Sequence, residues 1–368
     1  MSFRAWHYAV LFLPAIILVG CNLSNPKAAN TEVAPVIPTQ ADVTLPAFTP
    51  SPSETNPPED QISPDNSLSA IQFNSWEIVH DLAFSPNGSM LAVSAGDNIH
   101  IYDAETLEEK VNVPIGVWAS RLTFHPSLPL IALAKKDGTI EFRDRETGDL
   151  ICQFTAHVKG ANSLSINPDG RILATTGTDI KSRLWDISPL LANECTIREM
   201  GNFIGESYSS PDVEFSPDGK SIALVDLDNI RLRNTTDRKL IALLEGSQPI
   251  FDIEFSPDGR WLASAGNHGL VTVWDLAATP KPLPADWIIP GQNAKGFIWR
   301  VAFSSDSHSL AAGSSDGKIY LIDLFSSEVE MEYSLPRSVT ALAFSPDGRF
   351  IAAGGLDAQV SFFSLAGP

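Results

Sequence analysis

Several signatures of chemistry are missing from this 368-residue chain. It has no His-Glu-x-x-His, no Cys-x-x-Cys pair and no phosphate-cradling glycine loop, so a zincin site, a dithiol redox site and a nucleotide pocket have no sequence support. Basic residues are few, 25 Lys and Arg against 44 Asp and Glu, and the net charge of −19 argues against nucleic acid or anionic headgroups held by general attraction. Cysteine is scarce at three, histidine at seven, and the histidines are scattered. The longest apolar run, residues 9–19, is too short to span a bilayer as a mature helix, and no long stretch carries helical periodicity.

What the chain has is one spacing repeated seven times. Thirteen residues separate an apolar anchor (Phe84, Phe124, Ile166, Phe215, Phe255, Phe303, Phe344) from a turn residue (Asp97, Asp137, Asp179, Asp228, His268, Asp316, Asp357). Successive anchors lie 40 to 49 residues apart, the length of one propeller blade. An aliphatic side chain two residues before each anchor gives the period of a strand with a buried face. After most anchors comes Pro followed by Asp-Gly or Asn-Gly, in which Pro presets φ and Gly tolerates its positive range. A second apolar run, the Asp turn and a third strand follow. Fourth strands are expected in the connections, most clearly at 150–154, 239–244 and 329–333.

Four antiparallel strands cannot bury both faces alone, so such units stack around an axis. The last copy stops after its third strand, while a strand-like segment at 70–74 precedes the first. That segment is expected to supply the missing strand and join the ends of the ring. The fold class predicted is all-β: a seven-bladed propeller of four-stranded antiparallel blades.

With Trp185-Asp186 and Trp274-Asp275 closing two copies, and Tyr102-Asp103, Arg143-Asp144 and Ile322-Asp323 approximating that ending, residues 68–368 resemble the WD-repeat β-propeller family. The resemblance implies a network of His, Ser or Thr, Asp and Trp in each blade. Only the third copy holds all four types in register, as His157, Thr175, Asp179 and Trp185. It also implies a top face lined by the positions four and six before the anchor and the residue just before the turn Asp. The four-before set contains His80, Asn162, Phe251 and Trp299; the six-before set contains Trp118 and Phe297. Phe251, Phe297 and Trp299 fall on consecutive copies five and six, and grouped aromatics there would suit a protein or peptide partner. The alternative is that they fill space between blades or beneath the connection at 277–295.

The beginning of the chain gives a location. Residues 1–8 carry Arg4, the apolar run follows, and Leu18-Val19-Gly20-Cys21 resembles a bacterial lipobox. That implies a signal peptide over 1–20 and lipid attachment at Cys21, with more acyl chains than the single one that binds only reversibly. Residues 21–67 are then a tether, with nine prolines between 22 and 66. Such a composition cannot form a core, and its reach is about 40 Å as a coil and up to about 140 Å as polyproline. Cys152 and Cys195 fall in the outer strand of copy two and the connection after copy three, and two separate thiols are favoured over a bridge.

The expectation is a bacterial envelope protein, extracytoplasmic and lipid-tethered, that binds an unidentified protein or peptide through its top face. No catalysis, cofactor, metal or nucleic acid is expected. A propeller enzyme, or a small-ligand or cation binder using the central channel, is the alternative.

Overall fold

A computed structural model describes residues 67–365, apart from 204–210, 247, 278–283 and 289–295. The predicted signal, Cys21 and nearly all of the tether lie outside the described residues, as do the entry to blade four and most of the connection at 277–295.

Seven four-stranded antiparallel sheets are present. Blade 1 comprises β2 (Val79–Phe84), β3 (Met90–Ala95), β4 (Asn98–Asp103) and β5 (Glu109–Pro114). Blade 2 comprises β6 (Ala119–Phe124), β7 (Leu130–Lys135), β8 (Thr139–Asp144) and β9 (Leu150–Thr155). Blade 3 is β10 (Ala161–Ile166), β11 (Ile172–Gly177), β12 (Lys181–Asp186) and β13 (Arg198–Asn202), with a 3-10 turn at Ser188–Ala192 before its last strand. Blade 4 is β14 (Val213–Phe215), β15 (Ser221–Asp226), β16 (Asn229–Asn234) and β17 (Leu240–Glu245). Blade 5 is β18 (Ile250–Phe255), β19 (Trp261–Gly266), β20 (Leu270–Asp275) and β21 (Pro284–Ile288). Blade 6 is β22 (Ile298–Phe303), β23 (Ser309–Ser314), β24 (Lys318–Asp323) and β25 (Val329–Ser334).

Blade 7 is built from both ends of the fold: β26 (Val339–Phe344), β27 (Phe350–Gly355) and β28 (Gln359–Ser364) are completed by β1 (Ser67–Gln72). Ala70 pairs with Ser361 and Gln72 with Gln359. The closing strand therefore begins three residues earlier than the sequence suggests and ends before Asn74. Phe73 N–H still donates to Ala358 O at 2.8 Å, but the Glu77 carboxylate accepts from Asn74 N–H at 2.9 Å and pulls the chain into a turn.

Each blade buries its faces against its neighbours, and a separate apolar cluster fills every one of the seven gaps between adjacent blades. The anchors Phe124, Phe215, Phe255, Phe303 and Phe344 are buried in these gaps. Burying a side chain of that size contributes roughly 1.5–3 kcal/mol. The innermost strands touch one another all the way round.

One face is defined by a recurring backbone bond. The residue before the turn position donates its N–H to the carbonyl six before the anchor: Gly96 to Ile78, Lys136 to Trp118, Thr178 to Gly160, Asn267 to Pro249, Ser315 to Phe297 and Leu356 to Ser338, at 2.9–3.2 Å. The middle hairpin of a blade is thereby tied to the loop that enters it, and both form the top face.

The residue after the turn Asp takes positive φ in blades 2, 3, 6 and 7: Gly138 at +91°, Ile180 at +62°, Gly317 at +93° and Ala358 at +60°. Gly138 has no alternative, because a Cβ there would lie 1.9 Å from His157 O. Ile180 is β-branched, half exposed and in the region that penalises a Cβ. Ile180→Gly is therefore expected to stabilise the fold by about 1 kcal/mol, read as a higher urea midpoint at unchanged slope. A lower midpoint would show that the Ile180 side chain contributes packing that outweighs the strain.

Candidate functional site

The innermost strand of a blade has one free edge, and its N–H groups face the channel with no further strand to accept them. The residue three before the anchor meets that need. Asp81 of blade 1 accepts from Leu122 N–H of blade 2 at 2.8 Å, Asp212 from Ile253 N–H at 2.9 Å, and Asp252 from Val301 N–H at 2.8 Å. One residue before the anchor the pattern recurs: Ser165 accepts from Phe215 N–H at 3.1 Å and Glu214 from Phe255 N–H at 2.7 Å. Side chains in the channel thus stitch blade 1 to blade 2 and blades 3 to 6 to one another in turn.

Two arginines at the same register position compensate the charge. Arg121 contacts Asp252, lies 2.7 Å from Asp212 and is 3.7 Å from Asp81. Arg300 lies 3.0 Å from Asp252 and 3.4 Å from Asp81. Burial pushes the carboxyl of Asp81 up against the pull of both guanidiniums, and pushes that of Asp212 up against the pull of Arg121. Glu214 and Glu254 are pushed well above the usual carboxylate range, first by desolvation and then by neighbouring carboxylates: Glu254 above all for Glu214, and Asp252 for Glu254. These groups surround a cavity of about 380 Å³. Asp81, Asp212 and Asp252 are therefore channel residues and not turn residues. Their signal was a register position, three before the anchor, that holds Asp, Arg, Ser, Asp, Asp, Arg and Ala around the ring.

The top-face positions gather into two groups. Phe251, Phe297 and Trp299 form one aromatic cluster across blades 5 and 6, with ring centroids 4.9 Å (Phe251 to Trp299), 5.3 Å (Phe297 to Trp299) and 6.0 Å (Phe251 to Phe297) apart. All three are half-buried. Across blades 1 and 2, His80 stacks on Trp118 at 4.2 Å, and Lys136 Nζ sits 5.1 Å from the Trp118 ring and 3.3 Å from the Asn162 amide oxygen. His80 is pushed down to about 4 by burial and by the charges of Lys136 and Arg300, so it is neutral at physiological pH. Trp76, which the sequence reading did not single out, is 76% exposed in the loop that enters blade 1, and Val158 is 81% exposed in the loop that enters blade 3.

In blade 3 the four network residues lie in one line. Trp185 Nε1–H donates to Thr175 Oγ1 at 2.9 Å, Thr175 lies 2.9 Å from His157 Nε2, and His157 Nδ1 lies 2.8 Å from Asp179. Burial opposes ionisation of Asp179, but the bonds from His157 and Arg183 hold its carboxyl below the usual range. A string with the spelling of a hydrolase nucleophile elbow, Gly313-Ser314-Ser315-Asp316-Gly317, occurs in blade 6, but it is a hairpin turn between two strands rather than a strand-to-helix elbow. Its Ser315 hydroxyl accepts from Phe297 N–H at 3.0 Å, holding the base of the aromatic cluster.

The separate thiols favoured from sequence are corrected. Cys152 and Cys195 form a disulfide, with Cα atoms 5.4 Å apart, joining β9 of blade 2 to the connection before β13 of blade 3. Among the described residues no group of three or more His, Cys, Asp or Glu is arranged to hold a metal ion.

A family model described as WD domain, G-beta repeat, matches residues 66–103, 148–186, 238–275, 287–323 and 330–364, together just over half of the chain. Mus musculus striatin is 30% identical over 115 residues, covering 29% of this chain and 15% of striatin. Rattus norvegicus striatin-3 is 35% identical over 95 residues, 24% of this chain and 12% of its own length. The WD repeat-containing protein SL1-17 of Schistosoma mansoni is 26% identical over 213 residues, 58% of this chain and 53% of that protein. The chain thus matches about half or less of the length of each of these relatives.

Proposed function

This chain belongs to the WD domain, G-beta repeat family, and from that premise we propose that it is a membrane-tethered, extracytoplasmic scaffold that binds a protein or peptide through its top face without catalysing a reaction. The observation that carries the reading is the cluster of Phe251, Phe297 and Trp299. Aromatic side chains that only fill gaps between blades would be fully buried, whereas these keep part of their surface open to solvent. Large, stiff aromatic groups grouped beside a concave mouth are the usual anchors of a binding surface.

The tether reading rests on the lipobox-like Leu18-Val19-Gly20-Cys21 and the proline-rich segment after it. The bridge between Cys152 and Cys195 supports the same location, because such bridges persist in oxidising compartments.

Pull-down from membranes with the full chain and with Phe251→Ala/Phe297→Ala/Trp299→Ala tests the surface. Loss of the captured partner, with binding weakened at least tenfold and thermal stability retained, is expected. An unchanged set of partners would remove this patch from the reading. Replacing Cys21 by Ser is expected to release the protein from the membrane fraction, and persistence there would remove the lipid attachment.

A further inference from the structure

The channel mouth holds a cation, Lys136, that no carboxylate among the described residues neutralises. Lys135 and Lys136 are adjacent in sequence and opposite in fate. Lys135 is buried and bonds Glu141 at 2.7 Å. Lys136 points to the top face, where its ammonium lies over the Trp118 ring and reaches the Asn162 amide. Among the described residues no carboxylate comes within ion-pair distance of Lys136. Its ammonium is pushed down, first by desolvation and then by Arg300.

A half-buried ammonium without an anion is costly. The chain has 44 carboxylates to 25 basic side chains, yet none among the described residues sits beside this ammonium. Around Lys136 stand the Trp118 face, the Asn162 amide and the neutral His80 imidazole, all suited to flank a carboxylate that neutralises the ammonium. Across the mouth, Phe251 and Trp299 offer an apolar seat.

We propose that Lys136, framed by Trp118, His80 and Asn162, recognises a carboxylate on an acidic peptide segment whose apolar side chain rests on Phe251 and Trp299. The inference rests on the top-face reading and specifies the chemistry of its partner. Charge complementarity selects this occupant: a basic peptide would place a third cation beside Lys136 and Arg300, and a purely apolar one would bury the ammonium deeper.

The test is selection from a random displayed peptide library against the full chain, followed by fluorescence anisotropy with the selected peptides. Enrichment of Asp or Glu near an aromatic or large aliphatic residue is expected. Changing that acid to its amide should weaken binding about tenfold, and Lys136→Gln should cost about the same and erase the distinction between acid and amide. The bound peptide should also raise the pKa of His80, followed by NMR of its ring protons. Peptides that bind, lose affinity with the Phe251, Phe297 and Trp299 alanine variant, yet show no acidic preference or no response to Lys136→Gln would overturn the inference while leaving the top-face reading intact. No enrichment, or binding untouched by any of these variants, would overturn both.

Discussion

Arg121→Met is expected to lower the unfolding free energy by about 3–5 kcal/mol, the usual cost of removing one partner from a buried ion cluster. Among the described residues Arg121 alone comes within ion-pair distance of all three channel aspartates, whereas Arg300 reaches Asp81 and Asp252. Each of these aspartates also accepts a backbone N–H from the next blade, so a carboxylate that shifts or takes a proton loosens a seam between blades. Methionine keeps much of the bulk and none of the charge. Adding Asp252→Asn should recover part of the loss, because it removes one of the carboxylates left uncompensated, and the two changes are therefore expected to be non-additive.

The deficit should depend on pH. Removing the guanidinium raises the folded-state pKa of the carboxyls, the folded state then holds more protons than the unfolded one, and stability falls as pH rises through that window. The native channel already leans this way at Asp81, Asp212, Glu214 and Glu254, all pushed up by burial. The loss in Arg121→Met should thus be greatest at mildly alkaline pH and shrink towards acid. Urea midpoints of native protein and variant at several pH values check this. A loss under about 1 kcal/mol, or one that does not vary with pH, would mean that water rather than Arg121 stabilises the channel carboxylates.

The ring was legible because its signal is redundant: seven anchors and seven turn positions at one spacing fix blade number even where single motifs have decayed, as at His268. The closing strand was legible in kind but not in extent, since 70–74 reads as a strand, whereas the turn at Asn74 is made by bonds to Glu77, to its carboxylate and from its backbone N–H. Asp212 and Asp252 escaped because a chain rich in turn aspartates hides those with another task. Position relative to the anchor distinguishes them, and residue type does not. Lys135 and Lys136 look alike in sequence. Strand alternation sends one inward to Glu141, and the hairpin turn lifts the other to the mouth. The aromatic cluster was placed by register, but its partial exposure depends on the packing of two blades, which no local pattern encodes.

The second large effect is expected at the bridge, which was illegible because 43 residues of sequence separation carry no information about distance. Cys152→Ser/Cys195→Ser should destabilise the protein by about 4 kcal/mol if the bridge acts mainly by restricting the unfolded chain, given the size of the loop it closes. That loop contains β10, β11 and β12, and its closure holds the edge of blade 2 against the entry to the last strand of blade 3. Ile187 and Leu190 of the same connection are buried in the core shared by these blades, together with Trp185, whose ring lies 4.7 Å from that of Phe154. Loss of the bridge should therefore loosen blade 3 first. Hydrogen exchange is expected to quicken in β12 and β13 while blades 5 to 7 keep their protection. Calorimetry with and without reductant separates the causes. Native protein should lose thermal stability on reduction and the double serine variant should not respond. If reductant leaves the native transition unmoved while free thiols are titrated at both cysteines, the contacts of Ile187 and Leu190 hold the connection unaided, and the oxidising compartment proposed for this protein loses the support that the bridge lends it.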